Sequence, residues 1–141
     1  MIKMLDLDYR VLKEIYRSSK PLKVGEVAKI LRVPHSTIGS CIKRLEEFEY
    51  AIYERYKPVR LSKKGEDLAA ELTRHAQLLE LLLYNELNLN KEEAHNESEK
   101  FHLLFSCNTI NKICEKYGHP KYCPCGEKIL DSTECYCNNH I

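Results

Sequence analysis

Long apolar runs are missing from this sequence of 141 residues. No run approaches the ~20 residues that a membrane-spanning helix needs, which excludes a helical membrane protein. The N-terminus has no apolar segment of the secretory type, so we expect a cytoplasmic protein without a membrane partner. Internal repeats and low-complexity tracts are also missing. With 43% apolar and 30% charged residues, the chain suits one soluble domain or two small units that share a core.

A large net charge is missing as well, but the formal total of +1 hides an asymmetry. Residues 1–66 hold 15 Lys and Arg against 9 Asp and Glu, whereas residues 67–141 hold 7 against 12. A basic surface suits a polyanion, because cations that neutralise phosphates release condensed counterions. The first half is therefore suited to nucleic acid, and the second half to cations or to self-association.

Cysteine, by contrast, is abundant, and six of the seven cysteines follow residue 106. In a chain without a signal peptide, an odd and clustered set favours metal binding or redox chemistry over a disulfide framework. Cys41 falls on the apolar stripe of a predicted helix, and we interpret it as a small apolar core residue.

The stretch from 24 to 47 has the pattern of a helix-turn-helix. The apolar spacing of residues 24–31 predicts a short amphipathic helix, which Val33-Pro34 ends. Helical spacing resumes over residues 35–47. The second helix of such a motif can lie in the DNA major groove. Hydroxyls for base edges or phosphates and cations for phosphates occupy its outward positions, namely Ser36, Thr37, Ser40, Lys43 and Arg44. The alternative is a small helical core with a solvated basic face.

Elements on either side of this motif complete a winged helix. Residues 4–18 predict a first helix that packs on the other two. Residues 50–54 and 59–62 predict two strands joined by a basic turn, which would be the wing. Lys57 and Arg60 would hold phosphates or enter the minor groove.

A long helix follows, with Ser62 as its predicted N-cap and about 25 residues in length. Leucines recur along it at helical spacing, and few residues remain to cover them, so we expect a homodimer rather than a core helix covered by its own chain. Asn90 begins the next helix, which we predict to run to about Phe105. A shorter helix is predicted over residues 109–117, and the chain is cysteine-rich from Lys121 onward.

Two imidazoles and a carboxylate share one face of the helix that Asn90 begins. His95, Glu99 and His102 are spaced i, i+4 and i+7, which places them within about 40° to 60° of one another. His75 and Glu80 on the leucine-rich helix are candidate further ligands. Nitrogen and carboxylate donors suit Mn, Fe, Co, Ni or Zn better than Ca or Mg, and we expect Fe²⁺ or Mn²⁺ here. The alternative is a solvated polar face.

The ordered motifs of residues 8–126 resemble the diphtheria-toxin-repressor / manganese-transport-regulator family of metal-dependent transcriptional repressors. The resemblance is carried by Ser36-Thr37-Ile38, Tyr53-Glu54-Arg55-Tyr56, Leu61-Ser62-Lys63-Lys64-Gly65, Arg74-His75, Leu87 to Leu89, Glu92-Glu93-Ala94-His95 and Gly118-His119-Pro120-Lys121. It implies a winged-helix head, a helical dimerisation region and metal ligands that bridge the two. Metal binding would then set the separation of the two heads and hence the operator affinity.

The ligand pattern departs from this family in three places. Glu80 follows His75 by five residues instead of four, and Leu79 occupies the family's glutamate position. His102-Leu103 stands where the family has Glu-His. On the first helix a ligand position falls on Arg10, which does not ligate metals. Either a metal binds without help from the first helix, or the Arg10 guanidinium pairs with Glu99 or a neighbouring carboxylate in place of the cation.

Four cysteines near the end of the chain could form a second metal site. Cys123, Cys125, Cys135 and Cys137 offer thiolates in two Cys-x-Cys pairs, and Cys107 and Cys114 could join them. Structural zinc, a sensory soft metal or an iron–sulfur cluster would fit thiolates, and we expect Zn²⁺. The alternative is a set of reduced cysteines in a loose tail.

The sequence therefore predicts a mainly α protein: a winged helix-turn-helix DNA-binding domain over residues 1–66, a helical dimerisation and metal-binding region over 67–117, and a Cys-rich tail over 118–141. We expect a metal-responsive repressor of metal-homeostasis genes that binds double-stranded operator DNA as a homodimer and takes no small organic substrate. In the main alternative the cysteine cluster is the sensor, through a thiolate-bound metal, an iron–sulfur cluster or a redox change. A metal-dependent hydrolase would need an open catalytic cleft, and we expect no enzyme.

Overall fold

The computed structural model describes residues 3–100 and 106–130. The chain divides into two compact units, Met1–Ala70 and Glu71–Ile141. The described part contains six helices and one two-stranded sheet: α1 (Asp6–Arg17), α2 (Val24–Leu31), α3 (His35–Glu47), β1 (Ala51–Ile52), β2 (Arg60–Leu61), α4 (Lys63–Glu86), α5 (Lys91–Ser98) and α6 (Cys107–Lys116). The fold is mainly α, as predicted, and the two predicted helices of the helix-turn-helix have the observed bounds.

Three helices form the core of the first unit. Each contributes one apolar stripe, and the stripes are fully buried: Val11 and Leu12 on α1, Val27 on α2, and Ile38, Cys41, Ile42 and Leu45 on α3. The turn between α2 and α3 passes through Arg32, whose positive φ of 56° ends α2, and Pro34 then precedes α3. Cys41 is the small core residue that its position predicts, and burial raises the pKa of its thiol to about 11.

The wing is shorter in regular structure than the sequence predicts. Ala51 pairs with Leu61 and Ile52 with Arg60, and an isolated bridge joins Leu22 to Val59. The predicted strands over 50–54 and 59–62 are therefore too long. Proline has no N–H to donate to a ladder, so Pro58 limits the pairing before β2. Earlier in the same turn, the positive φ of 68° at Tyr56 bends the chain.

The start of α4 is fixed by a serine and a glycine. Ser62 Oγ accepts a hydrogen bond from the Gly65 N–H at 3.0 Å, which confirms the predicted N-cap. A Cβ added at Gly65 would lie 2.0 Å from the Tyr50 carbonyl oxygen, so only glycine allows this approach of helix and hairpin. The Ser-Lys-Lys-Gly motif therefore has a packing role at this position.

In the second unit, residues 107–130 pack on the C-terminal part of α4. A hydrophobic cluster joins Leu78 of α4 to α6 and to the segment after it, through Ile110, Ile113, Cys123 and Ile129. All residues of α4 from 71 to 80 are buried in the single chain. The expectation that few residues remain to cover the leucines is therefore wrong for this part of the helix. At Leu78 the cover comes from α6 and from the segment after it.

Helix α5 is shorter than predicted. Its start is the expected capping box, since Asn90 Oδ1 accepts from the Glu93 N–H at 2.8 Å. The helix ends at Ser98 instead of running to about residue 105, and residues 101–105 lie outside the described part. Ser98 Oγ donates to the His95 carbonyl at 2.9 Å, a side-chain bond that competes with the helical ladder near this end. Within the described residues, no helix has the length and apolar character to cross a membrane.

Candidate functional site

A buried carboxylate lies among metal-ligating side chains of the second unit. Glu80 is only 2% exposed. Its Oε1 lies 2.9 Å from His95 Nδ1, and its Oε2 accepts a hydrogen bond from the backbone N–H of Cys125 at 3.2 Å. The Sγ atoms of Cys123 and Cys125 are 2.8 Å apart. We call Glu80, His95, Cys123 and Cys125 the Glu80 centre; one oxygen of the carboxylate and the two sulfurs lie within 4.8 Å of one another.

A tight turn presents the two cysteines of this centre. The Gly126 N–H donates to the Cys123 carbonyl at 2.9 Å, and Gly126 has a φ of +93° that favours glycine. Beside the turn, Tyr122 and Lys128 form a short antiparallel bridge. Gln77 of α4 holds the segment, since its Nε2 donates to the Lys128 carbonyl at 2.7 Å and its Oε1 accepts from the Leu130 N–H at 3.0 Å. The spacing Cys-Pro-Cys-Gly thus places both thiols beside α4.

The electrostatics of the Glu80 centre favour a bound cation. The pKa of Cys123 is raised to about 12, first by burial, then by the hydrogen bond with Cys125 and by the negative charge of Glu80. The Glu80 carboxyl group and the thiols of Cys123 and Cys125 therefore lie together in a partly buried site. A second negative charge is unfavourable there. A divalent cation reverses this preference, because it stabilises the thiolate and the carboxylate together.

A second group of possible ligands lies earlier on α4. Its members are buried, at 8% exposure for Glu71, 4% for His75 and 5% for Cys107. His75 Nε2 lies 3.5 Å from Cys107 Sγ and 3.7 Å from Glu71 Oε1, and the Cys107 thiol donates to the same carboxylate oxygen. We call these three residues the Glu71 centre.

The structure distributes the predicted metal ligands differently from the sequence-based grouping. Glu80 and His95 come together, but with Cys123 and Cys125 of the predicted tail site. His75 lies in the Glu71 centre instead. Glu99 is the C-cap residue of α5. The three remaining predicted ligands, His102, Cys135 and Cys137, lie outside the described residues.

Sequence reasoning missed Glu71 as a possible ligand and Cys107 as a partner of His75. The only local signal was the i, i+4 spacing of Glu71 and His75, which places both on one face of a helix. Cys107 follows Glu71 by 36 residues, and no pattern in the sequence indicates that contact.

The first unit exposes hydroxyls and cations on α3. Ser36, Ser40 and Lys43 are exposed, and Thr37 is half-buried. Ser40 Oγ donates to the Ser36 carbonyl at 3.2 Å, and its oxygen retains the capacity to accept a hydrogen bond. These side chains have the exposure that contact with a DNA groove requires.

Arg44 differs from the other predicted DNA contacts. Its Nε and Nη2 donate to the two carboxylate oxygens of Asp8 at 2.8 and 2.9 Å, and Asp8 is fully buried. The hydrogen bonds that Arg44 donates to Asp8 raise the pKa of Arg44. A bidentate pair of this kind ties α3 to α1. The Arg44 guanidinium is therefore engaged inside the first unit.

The wing carries exposed cations next to an aromatic ring. Lys57 and Arg60 are exposed, and Lys57 Nζ pairs with Glu54 Oε2 at 2.7 Å. The Arg55 guanidinium lies 4.9 Å from the ring centroid of Tyr56. A cleft opens between the wing and the start of α2, lined by Lys23, Lys29, His35, Arg55 and Lys57 among others. This part of the surface is basic, as a phosphate-binding surface should be.

Both parts of the chain match known sequence families. Residues 8–59 match the family described as iron dependent repressor, N-terminal DNA binding domain. Residues 62–131 match the family described as iron dependent repressor, metal binding and dimerisation domain. The chain belongs to the iron-dependent repressor family. The resemblance to the diphtheria-toxin-repressor / manganese-transport-regulator family is thereby confirmed.

Several proteins that are similar to this chain are named as regulators. The chain is 29% identical over 93 residues to the HTH-type transcriptional regulator MntR of Lysinibacillus sphaericus (strain C3-41), a match that covers 66% of either chain. The structure of the manganese regulator SloR superposes with a TM-score of 0.80 at 26% identity, over 91% of this chain and 61% of that one. The structure of ScaR with bound Zn²⁺ gives a TM-score of 0.76 at 25% identity, over 91% and 61%. The chain thus spans less than two thirds of these relatives.

Arg10, which falls on a ligand position of the resemblance, is exposed. It belongs to the first unit, and Glu99 to the second. The predicted pairing of the Arg10 guanidinium with Glu99, in place of a metal cation, stays a prediction. The Glu80 centre does not depend on it, since all its residues lie in the second unit.

Proposed function

We propose that this protein is a metal-responsive transcriptional repressor that binds operator DNA as a homodimer, with the Glu80 centre as its effector site. The observation that carries this proposal is the contact of the buried Glu80 carboxylate with His95 and with the Cys123–Cys125 turn. Carboxylate, imidazole and two thiols from three different segments meet there. The same chain has a winged helix-turn-helix in its first unit.

The donor set of the Glu80 centre fits a divalent transition metal. Two thiols, a buried carboxylate and a half-buried imidazole are all ligands of such ions, and the raised pKa of Cys123 marks the cost of assembling them without one. The metal would supply positive charge and join α4, α5 and the turn at Cys123. The residues of this chain supply the rest: Gln77 holds the turn, and Asn90 fixes the start of α5.

Sulfur in the centre affects the choice of metal. Carboxylate and water suit Mn²⁺, whereas thiolates favour Fe²⁺, Co²⁺ and Zn²⁺. Among relatives, manganese is named for SloR and Zn²⁺ was bound to ScaR. We propose Fe²⁺ or Zn²⁺ ahead of Mn²⁺ as the effector of this chain. This proposal combines the two sensor hypotheses from the sequence, because it assigns His and Glu ligands and two of the tail cysteines to one centre.

DNA recognition is assigned to exposed residues of the first unit. We propose that Ser36, Thr37 and Ser40 meet base edges in the major groove, and that Lys43, Lys57 and Arg60 hold phosphates. Arg44 is left out of this set because of its pairing with Asp8. In a homodimer the two copies of α3 would read half-sites about one helical turn, or a multiple of it, apart. Repression of metal-homeostasis genes is the role that family membership favours.

The proposal is tested by operator affinity with and without metal. An operator is first selected from a random-sequence duplex pool with Fe²⁺, Zn²⁺ or Mn²⁺ present. Anisotropy titrations of the full chain then compare the metal-loaded protein with protein in chelator. We expect a tighter complex with metal by a factor of 5 to 150, the usual range of coupling between two sites.

Two glutamate variants supply the matched comparison. Glu80→Gln should abolish the metal response, because it removes a ligand and the charge that balances the cation. Glu92→Gln removes a charge from the exposed first turn of α5 and should retain the response. Equal responses in both variants, or no metal effect in the unaltered protein, would reject the Glu80 centre as the effector site.

A further inference from the structure

We infer that the Glu71 centre is a second metal site, selective for Zn²⁺ and separate from the effector site. Its three ligand atoms are a carboxylate oxygen, an imidazole nitrogen and a sulfur, all within 4.8 Å of one another. All three residues are more than nine-tenths buried. No residue is shared with the Glu80 centre, so the two sites can be emptied independently.

Secondary structure preorganises the three ligands. Glu71 and His75 are one helical turn apart on α4, so their side chains lie on the same face. Cys107 is the first residue of α6, whose N-cap Ser106 accepts from the Thr109 N–H at 3.2 Å. The positive end of a helix favours a negative sulfur at this position. Metal binding would therefore join the start of α6 to α4.

Charge balance favours a divalent ion over a purely hydrogen-bonded cluster. With its ligands deprotonated, the centre holds a carboxylate, a thiolate and a neutral imidazole, so one divalent cation makes the sum zero. Burying a carboxylate and a thiolate side by side is costly, and a divalent cation bound between them offsets that cost. His75 Nδ1 has no hydrogen-bond partner among the described residues, and Nε2 lies near both acidic groups.

The mixture of donors selects the metal. Zn²⁺ takes Cys, His and carboxylate ligands in four-coordinate sites, and three protein ligands leave one position for water or for a further residue. Calcium and magnesium require oxygen ligands, and manganese prefers carboxylate and water. Zinc in this centre would stabilise the second unit, because a ligand that binds only the folded form raises the free energy of unfolding.

Cobalt substitution tests the proposal in the full-length chain. The background variant carries Cys123→Ser, Cys125→Ser, Cys135→Ser and Cys137→Ser, which removes the thiols of the Glu80 centre and of the chain end. Titration with Co²⁺ should give one bound ion and a sulfur-to-cobalt charge-transfer band. Added Cys107→Ser should remove the band, whereas Cys114→Ser on the same helix should retain it. A band that survives Cys107→Ser, or a background variant with no band, would overturn the assignment.

A count of zinc in otherwise unaltered protein covers the case in which the background variant fails to fold. Elemental analysis should give one zinc fewer per chain for Cys107→Ser and for Glu71→Gln, and no loss for Cys114→Ser. Equal counts in all three variants would contradict the site. Glu80→Gln separates this inference from the proposed function, since it should empty the effector site and leave the zinc of the Glu71 centre in place.

Discussion

Glu80 Oε1 lies 2.9 Å from His95 Nδ1, while His75, five residues earlier on α4, contacts Cys107 instead. Five residues correspond to about 140° around a helix, so His75 and Glu80 face different directions. Leu79, at the spacing where a fourth-residue ligand would lie, is 5% exposed and belongs to the apolar core. The one-residue shift of the glutamate thus gives two groups of ligands where the sequence suggested one.

The wing residue Lys57 should contribute equally to the affinity for all DNA sequences. Lys57→Ala removes an exposed cation whose ion pair with Glu54 is also exposed and therefore weak. We expect weaker binding to every duplex and a salt slope that falls in magnitude by about 0.9, the value for one lost phosphate contact. Binding across a range of salt concentrations measures this. Lys100→Ala, an exposed lysine of the second unit, is the control and should leave the slope unchanged.

Ser40 should affect sequence preference. Ser40→Ala removes the exposed hydroxyl in the middle of α3 but leaves the charge of the surface unaltered. We expect a loss of about 1–3 kcal/mol of discrimination at one base position, with an unchanged salt slope. Competition among single-base operator variants measures it, and Ser19→Ala in the exposed loop after α1 serves as the control. A uniform loss on all sequences, like that of Lys57→Ala, would contradict the placement of α3 in the groove.

The Asp8–Arg44 pair should stabilise the folded chain. Asp8→Asn leaves a partly buried guanidinium without its carboxylate, and we expect the free energy of unfolding to fall by about 1–3 kcal/mol. Arg44 is 25% exposed, and partial access to water keeps the loss in this range. Urea unfolding followed by circular dichroism measures it. Asp67→Asn, whose partner Lys63 is exposed, should change stability by less than about 0.5 kcal/mol.

Metal affinity at the Glu80 centre should rise with pH. The pKa of Cys123 is raised to about 12, so its thiol keeps its proton at neutral pH and must release it when the metal binds. Each proton released makes affinity rise about tenfold per pH unit, which gives at least about 100-fold over two units. Competition with a metal indicator measures this, and Cys123→Ser should lower the slope by one proton. An affinity in the unaltered protein that does not change with pH would argue against thiolate ligation.

Local signals in the sequence predicted much of the fold. Helix α2 begins and ends where its apolar spacing does, and Pro34 marks the turn before α3. Ser62 and Asn90 cap helices as their residue types predict. Each of these features depends on contacts within four residues, and sequence patterns record such contacts directly.

The composition of the metal centres could not be predicted in the same way. The contacts of Glu71 with Cys107 and of Glu80 with Cys125 join residues 36 and 45 positions apart. Which tail cysteines meet α4 depends on how the chain folds back after α6, and no periodicity describes that path. The pairing of Arg44 with Asp8 escaped prediction for the same reason, since the outward side of α3 alone suggests a phosphate contact.

Reciprocal coupling between metal and operator is the most direct test of a metal-controlled repressor. If metal at the Glu80 centre tightens operator binding, the operator must tighten metal binding by the same factor. Metal affinity of the full chain is therefore measured by competition with an indicator, with and without saturating operator duplex. The proposal predicts that the two factors agree. A metal affinity that is the same with and without the operator would contradict it.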